Sequence, residues 1–252
     1  MDVIIIDMRV KLNFYSHAPI LLSTSYNRAL QGMIYNLLDY EYKEFLHDKG
    51  YLFDNRRFKL FTFSKLLGEY TRKGSYITFK EHISLIISSP IKEFIENLCN
   101  SLLHKEEIQI EINKVHVESI EFLREPVITN NVVIYTLSPI VVYSTLFTKD
   151  NRKKTYYYSP YEEEFSELIA KNLIKKFILL NNVCMIKTDQ LIQLEPLRVR
   201  EHILSFKGTI IKGWSGRFKI YGSKELILTG YRCGLGAKNS AGFGMIEVVN
   251  DA

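Results

Sequence analysis

Gly234, Gly236, Gly242 and Gly244 fall within the eleven residues Gly234-Leu235-Gly236-Ala237-Lys238-Asn239-Ser240-Ala241-Gly242-Phe243-Gly244 and bracket a small polar core. Glycine takes positive φ and has no Cβ to hold a partner away, so such a segment can point successive N–H groups at a phosphate. The chemistry on offer is anion binding. The same glycines also permit a tight β connection, and the segment by itself leaves both readings open. It is neither common nucleotide signature. The Gly-Lys-Ser/Thr ending of a P-loop is missing, and Met245-Ile246-Glu247-Val248-Val249 is too short and β-branched for the helix that a dinucleotide fingerprint opens.

Proton transfer near neutrality falls first to histidine, whose unperturbed pKa is about 6.5. His17, His82, His104, His116 and His202 stand in no zinc-ligand spacing with cysteine or carboxylate, and no paired aspartates point to magnesium. No metal and no cofactor are expected. His47 closes a short predicted helix (Tyr42, Phe45, Leu46) that Gly50 can cap, a place where the helix dipole favours a cation.

The whole pattern resembles the CRISPR repeat-processing endoribonucleases, the sixth CRISPR-associated (Cas) family of the repeat-associated RNA-binding (RAMP) superfamily. Its C-terminal mark, Gly-hydrophobic-Gly, a polar stretch, then Gly-hydrophobic-Gly, reads here as Gly234-Leu235-Gly236 and Gly242-Phe243-Gly244 around Lys238, Asn239 and Ser240. In the N-terminal half, Leu30-Gln31-Gly32-Met33-Ile34-Tyr35-Asn36, Phe45-Leu46-His47 and Lys59-Leu60-Phe61-Thr62-Phe63-Ser64 look like the family's opening helices and second strand. Leu123-Arg124-Glu125-Pro126 and Thr136-Leu137-Ser138-Pro139-Ile140 add similarity mid-chain, so it spans nearly the whole length.

The resemblance implies metal-independent cleavage of CRISPR precursor RNA within its repeats, by 2′-OH attack that leaves 2′,3′-cyclic phosphate and 5′-hydroxyl ends. Such a cut needs a base for the 2′-OH, an acid for the leaving 5′-oxygen and a cation for the phosphorane. By position in the family pattern, the catalytic histidine falls on His47, the helix tyrosine on Tyr35 and the strand lysine on Lys59. Arg56 and Arg57 lie close enough in sequence to replace Lys59. A tyrosine ordinarily loses its proton near pH 10, so Tyr35 fits positioning of the 2′-OH better than taking its proton. The implied RNA contacts are the four glycines with Lys238, Asn239 and Ser240, and Lys207, Lys212, Arg217 and Lys219 on the late strands, because Lys and Arg neutralise phosphates. Arg152, Lys153 and Lys154 before Tyr156, Tyr157 and Tyr158 read more simply as a solvated hairpin, and Trp214 as a packed aromatic. CRISPR repeat RNA is the implied partner, with effector-complex proteins and a second copy of the chain left open. The rival readings are a non-catalytic RAMP protein or effector-complex subunit that holds repeat RNA, and an unrelated αβ protein whose glycine segment binds a nucleotide.

Composition bounds these readings. The 252 residues, 46% hydrophobic, suffice for one large or two small domains, and a net charge of +5 permits RNA without requiring it. Cys99, Cys184 and Cys233 are odd in number and widely spaced, which argues against disulfides and zinc and fits a reducing cytoplasm. Val3-Ile4-Ile5-Ile6 is too short for a signal core, and no apolar run reaches membrane-spanning length.

The elements that must position these residues follow from periodicity. Met8 to Tyr15 alternates as a strand, and Ala29, Leu30, Met33, Ile34, Leu37 and Leu38 make one helical stripe that Ser23-Thr24-Ser25 can cap. Strands are expected over 58–67, 75–79, 82–88 and 108–123, with a helix over 91–103. After Pro126 and Asn130-Asn131 strands over 132–145 begin a second unit, followed by a helix over 161–180, strands over 199–211 and 216–221, and a short element at 224–229. The fold class expected is α+β, with two tandem ferredoxin-like (RRM-like) domains, 1–126 and 127–252, and a cleft between them.

Overall fold

The computed structural model describes residues 8–147, 150–183 and 192–249. Cys184 and the opening Val3–Ile6 run lie outside the described residues. The chain divides into two compact units, one of residues 1–126 with Ser240–Gly242, the other of residues 127–239 with 243–252.

The first unit runs β1 (Arg9–Tyr15), β2 (Ile20–Ser23), α1 (Asn27–Asn36), α2 (Tyr40–Glu44), a π-helical turn (Phe45–Lys49), β3 (Tyr51–Phe53), β4 (Arg56–Phe58), β5 (Thr62–Phe63), β6 (Tyr70–Lys73), β7 (Tyr76–Phe79), β8 (His82–Ser88), α3 (Lys92–Leu103), β9 (Ile108–Ile110) and β10 (Asn113–Phe122). Its main sheet is antiparallel with order β5-β8-β1-β10-β9. Alternation places Val10, Leu12 and Phe14 of β1 and Ile83, Leu85 and Ile87 of β8 on one buried face, against Leu30, Met33 and Ile34 of α1 and Phe94, Ile95 and Leu98 of α3. Burying such side chains contributes about 1.5–3 kcal/mol each.

The second unit runs β11 (Asn131–Thr136), β12 (Tyr143–Phe147), β13 (Lys153–Tyr157), α4 (Glu163–Asn181), β14 (Gln193–Phe206), β15 (Thr209–Tyr221), α5 (Lys224–Cys233), a single 3-10 turn (Asn239–Ala241) and β16 (Ile246–Val248). Its sheet order is β14-β15-β11-β16. In both units the first main strand lies between the third and fourth and the second takes an edge, so the expected tandem ferredoxin-like α+β architecture is the one observed. Phe165, Ile169 and Leu173 of α4, Phe218 and Ile220 of β15 and Leu226 and Ile227 of α5 fill this unit's own core. The β14–β15 hairpin is long: Arg217–Tyr221 of β15 pair also with β11, whereas Thr209–Gly213 pair with β14 alone.

Three local expectations are corrected. Ser23-Thr24-Ser25 does not cap α1, whose N-cap is Tyr26 with no side-chain bond, because the segment turns the chain through backbone bonds and the Ser23 hydroxyl donates to Glu111 instead. The strand expected over 58–67 breaks at Leu60, whose φ of +53° separates β4, paired with β3, from β5, paired with β8. The element at 224–229 is a helix continuing to Cys233, capped by Ser223, whose hydroxyl accepts from the Leu226 amide. No helix among the described residues is long and apolar enough to cross a membrane.

Candidate active site

The chain reaches His47 through an abrupt change of helix. Asp39 caps α2 by accepting from the Tyr42 amide at 2.8 Å, and after Glu44 the helix widens, the Gly50 amide reaching back to the Phe45 carbonyl at 2.7 Å. Single π turns of this kind recur at functional sites. Gly50 ends the turn at φ +61°, where a Cβ would meet the Phe58 carbonyl at 2.7 Å. Leu46 is buried, so its neighbour His47 is turned to solvent with 76% of its side chain exposed.

Two cations grip the turn from the hairpin that follows. Lys59 Nζ donates to the His47 carbonyl at 3.1 Å, and Arg57 Nη1 donates to the Asp48 carbonyl at 2.5 Å. These carbonyls close a helix, where unsatisfied C=O groups carry partial negative charge that attracts Lys and Arg. Arg57, on β4, and Lys59, just past it, are thus the two candidate cations that reach the turn. Burial, reinforced by the Arg57 charge, holds the Lys59 ammonium below its usual pKa, with Asp48 opposing.

Asp48, which the sequence reading passed over, lies 2.6 Å from His47 Nδ1. A carboxylate there keeps the proton of a neutral imidazole on Nδ1 and leaves the lone pair on Nε2, the arrangement a base needs. Tyr35 stands on α1 beside the buried stripe, its ring edge-on to Phe61 at 6.0 Å, and Phe61 in turn stacks on Phe94 at 4.8 Å. Burial pushes its phenol up to about 12, so it is a neutral hydroxyl at working pH. The structure thus brings Lys59 and His47 together, and ties Tyr35 to the residue two beyond Lys59; no hydrogen bond joins Tyr35 to either.

The glycine segment is built differently. Gly234, Gly236, Gly242 and Gly244 are all buried, with φ of +82°, +67°, +79° and +76°. The amides of Leu235, Ala237 and Gly244 donate to the Gly244, Val141 and Pro139 carbonyls. These amides therefore tie the segment to itself and to the stretch 139–141, and are not turned toward an anion. At Gly244 a Cβ would collide with the Leu235 carbonyl. In the first unit, Asn27 Nδ2 donates to the Ala241 and Gly242 carbonyls at 3.0 and 3.1 Å, and Gln31 Nε2 to the Ser240 carbonyl at 2.6 Å. Gln31 is one turn before Tyr35 on α1. Lys238 is half-buried, its Nζ 5.3 Å from the centre of the Tyr143 ring, and burial lowers its pKa.

The late-strand cations are spread along the hairpin. Lys207 sits exposed at the tip over Phe206, Lys212 pairs with Glu201 at 3.3 Å, and Lys219 lies 4.9 Å over the Tyr221 ring. Arg217 stands directly opposite Arg198, an exposed residue that sequence reasoning missed. Like charges facing each other across strands repel, and a phosphate would relieve that. Trp214 is buried edge-on to Phe165 in the core. Arg152 is exposed, Lys153, Lys154, Tyr156 and Tyr157 belong to the β12–β13 hairpin and its flank, and Tyr158 packs edge-on to Tyr156. No group of three or more His, Cys, Asp or Glu among the described residues could hold a metal ion.

Two ferredoxin-like units, a histidine with a lysine on its turn and a paired Gly-x-Gly segment place the chain in the class of tandem ferredoxin-like α+β proteins. Family models bear on both halves: residues 21–121 match the N-terminal model of CRISPR-associated protein Cas6, and residues 123–248 match the C-terminal one. The chain is 32% identical over 250 residues to CRISPR-associated endoribonuclease Cas6 1 of Methanocaldococcus jannaschii, covering 97% of this chain and 94% of that one. It is 31% identical over 224 residues to CRISPR-associated endoribonuclease Cas6 of Pyrococcus furiosus, covering 87% and 80%. A solved CRISPR-associated protein Cas6 superposes with a TM-score of 0.79 at 30% identity, covering 96% of this chain and 99% of that one. A RAMP protein described as binding different RNA substrates shares the fold, with a TM-score of 0.81 at 22% identity over 96% of this chain and 100% of its own. The chain belongs to the Cas6 family.

Proposed function

We propose that this chain is an endoribonuclease that processes CRISPR precursor RNA by cutting within each repeat. Family membership over nearly the whole length supports the activity, and one observation carries the site: His47 and Lys59 meet on a single π turn, with Asp48 on the imidazole. In this reading His47 Nε2 carries the proton transfers, Lys59 offsets charge on the phosphorane and the neutral Tyr35 hydroxyl orients the 2′-OH. The 2′-oxygen bonds to phosphorus, the bond from phosphorus to the 5′-oxygen breaks, and the ends are a 2′,3′-cyclic phosphate and a 5′-hydroxyl. Arg57 stands ready beside Lys59, held by the Asp48 carbonyl.

RNA reaches the protein through the cations outside that turn: Lys238 with Asn239 and Ser240 of the glycine segment, and Arg217, Lys219, Lys212 and Lys207 of the hairpin, to which we add Arg198. The glycines act by shaping the segment. Repeat RNA is the partner this reading assigns; effector-complex proteins and a second copy of the chain are further partners, tested by sizing the protein with and without RNA. The deciding experiment is cleavage of an end-labelled repeat RNA in excess EDTA, with wild type, His47→Ala and a substrate carrying 2′-deoxyribose at the cut. A single cut that survives EDTA and disappears with the deoxy substrate and with His47→Ala supports the reading. Salt-sensitive binding without a cut would move the protein to a non-catalytic RNA holder, and a cut indifferent to His47→Ala would overturn the site.

A further inference from the structure

Lys176 lies on the stripe Phe165, Ile169, Leu173 that faces the second unit's core, and only 2% of it is exposed. Burying an ammonium costs several kcal/mol unless it is paired or hydrogen-bonded. No carboxylate among the described residues pairs with it. Its Nζ instead donates to the Gly234 carbonyl and to Asn239 Oδ1, both at 2.8 Å, and both belong to the glycine segment. Asn239 Nδ2 then donates to the Leu235 and Phe243 carbonyls at 3.0 Å each, one from each Gly-x-Gly. One ammonium and one amide therefore hold both ends of the segment.

We propose that Lys176 is the positioning residue of the glycine segment: its buried charge locks Asn239 and the two Gly-x-Gly turns into the form that receives an RNA phosphate, and adds positive potential beneath it. This rests on the segment being an RNA contact. The described groups that face Lys176 carry no charge that neutralises it. On α5 the Cys233 thiol is pushed up to about 11 by burial, with Lys176 and Arg232 opposing, so it stays neutral; Asn239 is neutral, and Lys238, the segment's own cation, rests over Tyr143. Burial lowers Lys176 itself to about 8. The sign then separates function from structure. Because the unfolded chain holds this proton more tightly than the folded one, stability rises with pH from about 8 to about 10.5 as Lys176 discharges. RNA affinity falls over the same rise.

The test is the Kd for a fluorescent repeat RNA made uncleavable by 2′-deoxyribose at the cut, from pH 6.5 to 9 at fixed ionic strength, with the melting temperature measured in parallel. Wild type is expected to weaken with a midpoint near 8 while its melting temperature rises. Lys176→Met is expected to bind roughly 10–100-fold more weakly at pH 7 and to lose the break. Lys176→Arg, whose guanidinium keeps its proton, is expected to bind with no break, and Lys238→Gln to keep it. A Lys176→Met protein that is weaker yet retains the break, or one that binds like wild type, overturns the proposal. So does wild-type affinity that is flat across pH 8, a comparison that stands even if Lys176→Met fails to fold. Failure of the wild type to bind the RNA at pH 7 would instead overturn the reading of the segment as an RNA contact.

Discussion

The turn carrying His47 and the segment carrying the four glycines solve opposite problems. On the turn, Lys59 and Arg57 fix the backbone by its carbonyls and leave the imidazole exposed, so the side chain is what the turn offers to solvent. In the glycine segment side chains from Lys176, Asn239, Asn27 and Gln31 bind backbone carbonyls, and the backbone's shape is what they serve. A change on the turn should therefore remove activity and spare the fold, whereas a change among the glycines should cost stability first and RNA binding along with it.

The sharpest break of that contrast is His47→Ala. We expect single-turnover cleavage to fall about 10²–10⁴-fold with an unchanged melting curve, as for loss of a group that moves protons. A large drop in melting temperature would show the turn to be structural after all. Gly244→Ala should act the other way: a Cβ on the Leu235 carbonyl at φ +76° costs on the order of 3 kcal/mol in a denaturant melt. Tyr35→Phe sharpens the boundary, because its ring packs on Phe61 while its hydroxyl is free to act. Turnover should drop roughly tenfold, with the pH profile from 6 to 9 unmoved, since a phenol pushed up to about 12 does not titrate there. The smallest effect is Gly32→Ala on α1, where nothing lies within 4 Å of a new Cβ; it should stabilise the protein by up to about 1 kcal/mol without altering cleavage.

Much of this was legible in the sequence. Periodicity gave β1, β8, α1, α3 and α4 to within a few residues, because each buries one regular stripe in its own unit's core. The break at Leu60 was not, since a single left-handed residue between two apolar runs carries no mark when it is leucine. Nor was the burial of the glycines, because anion cradles and close backbone packing use the same residue in the same spacing. Asp48 was visible as a neighbour of His47, but only the π turn shows which imidazole nitrogen it meets. Lys176 was legible too: spacings of four, four and three from Phe165 put it on the apolar stripe, the mark of a buried charge.

The β14–β15 hairpin carries one mechanical consequence. Its base is clamped by β11, while Thr209–Gly213 pair with β14 and are propped from the side, the Tyr157 hydroxyl of β13 donating to the Ile210 carbonyl at 3.0 Å and Ile211 being buried. Two-stranded ribbons twist more than wider sheets and are marginally stable alone. The hairpin is thus stiffened by a backbone ladder at its base and by side chains farther out, so Arg217 is fixed in register by a third strand while Lys207 and Lys212 ride on the more yielding half.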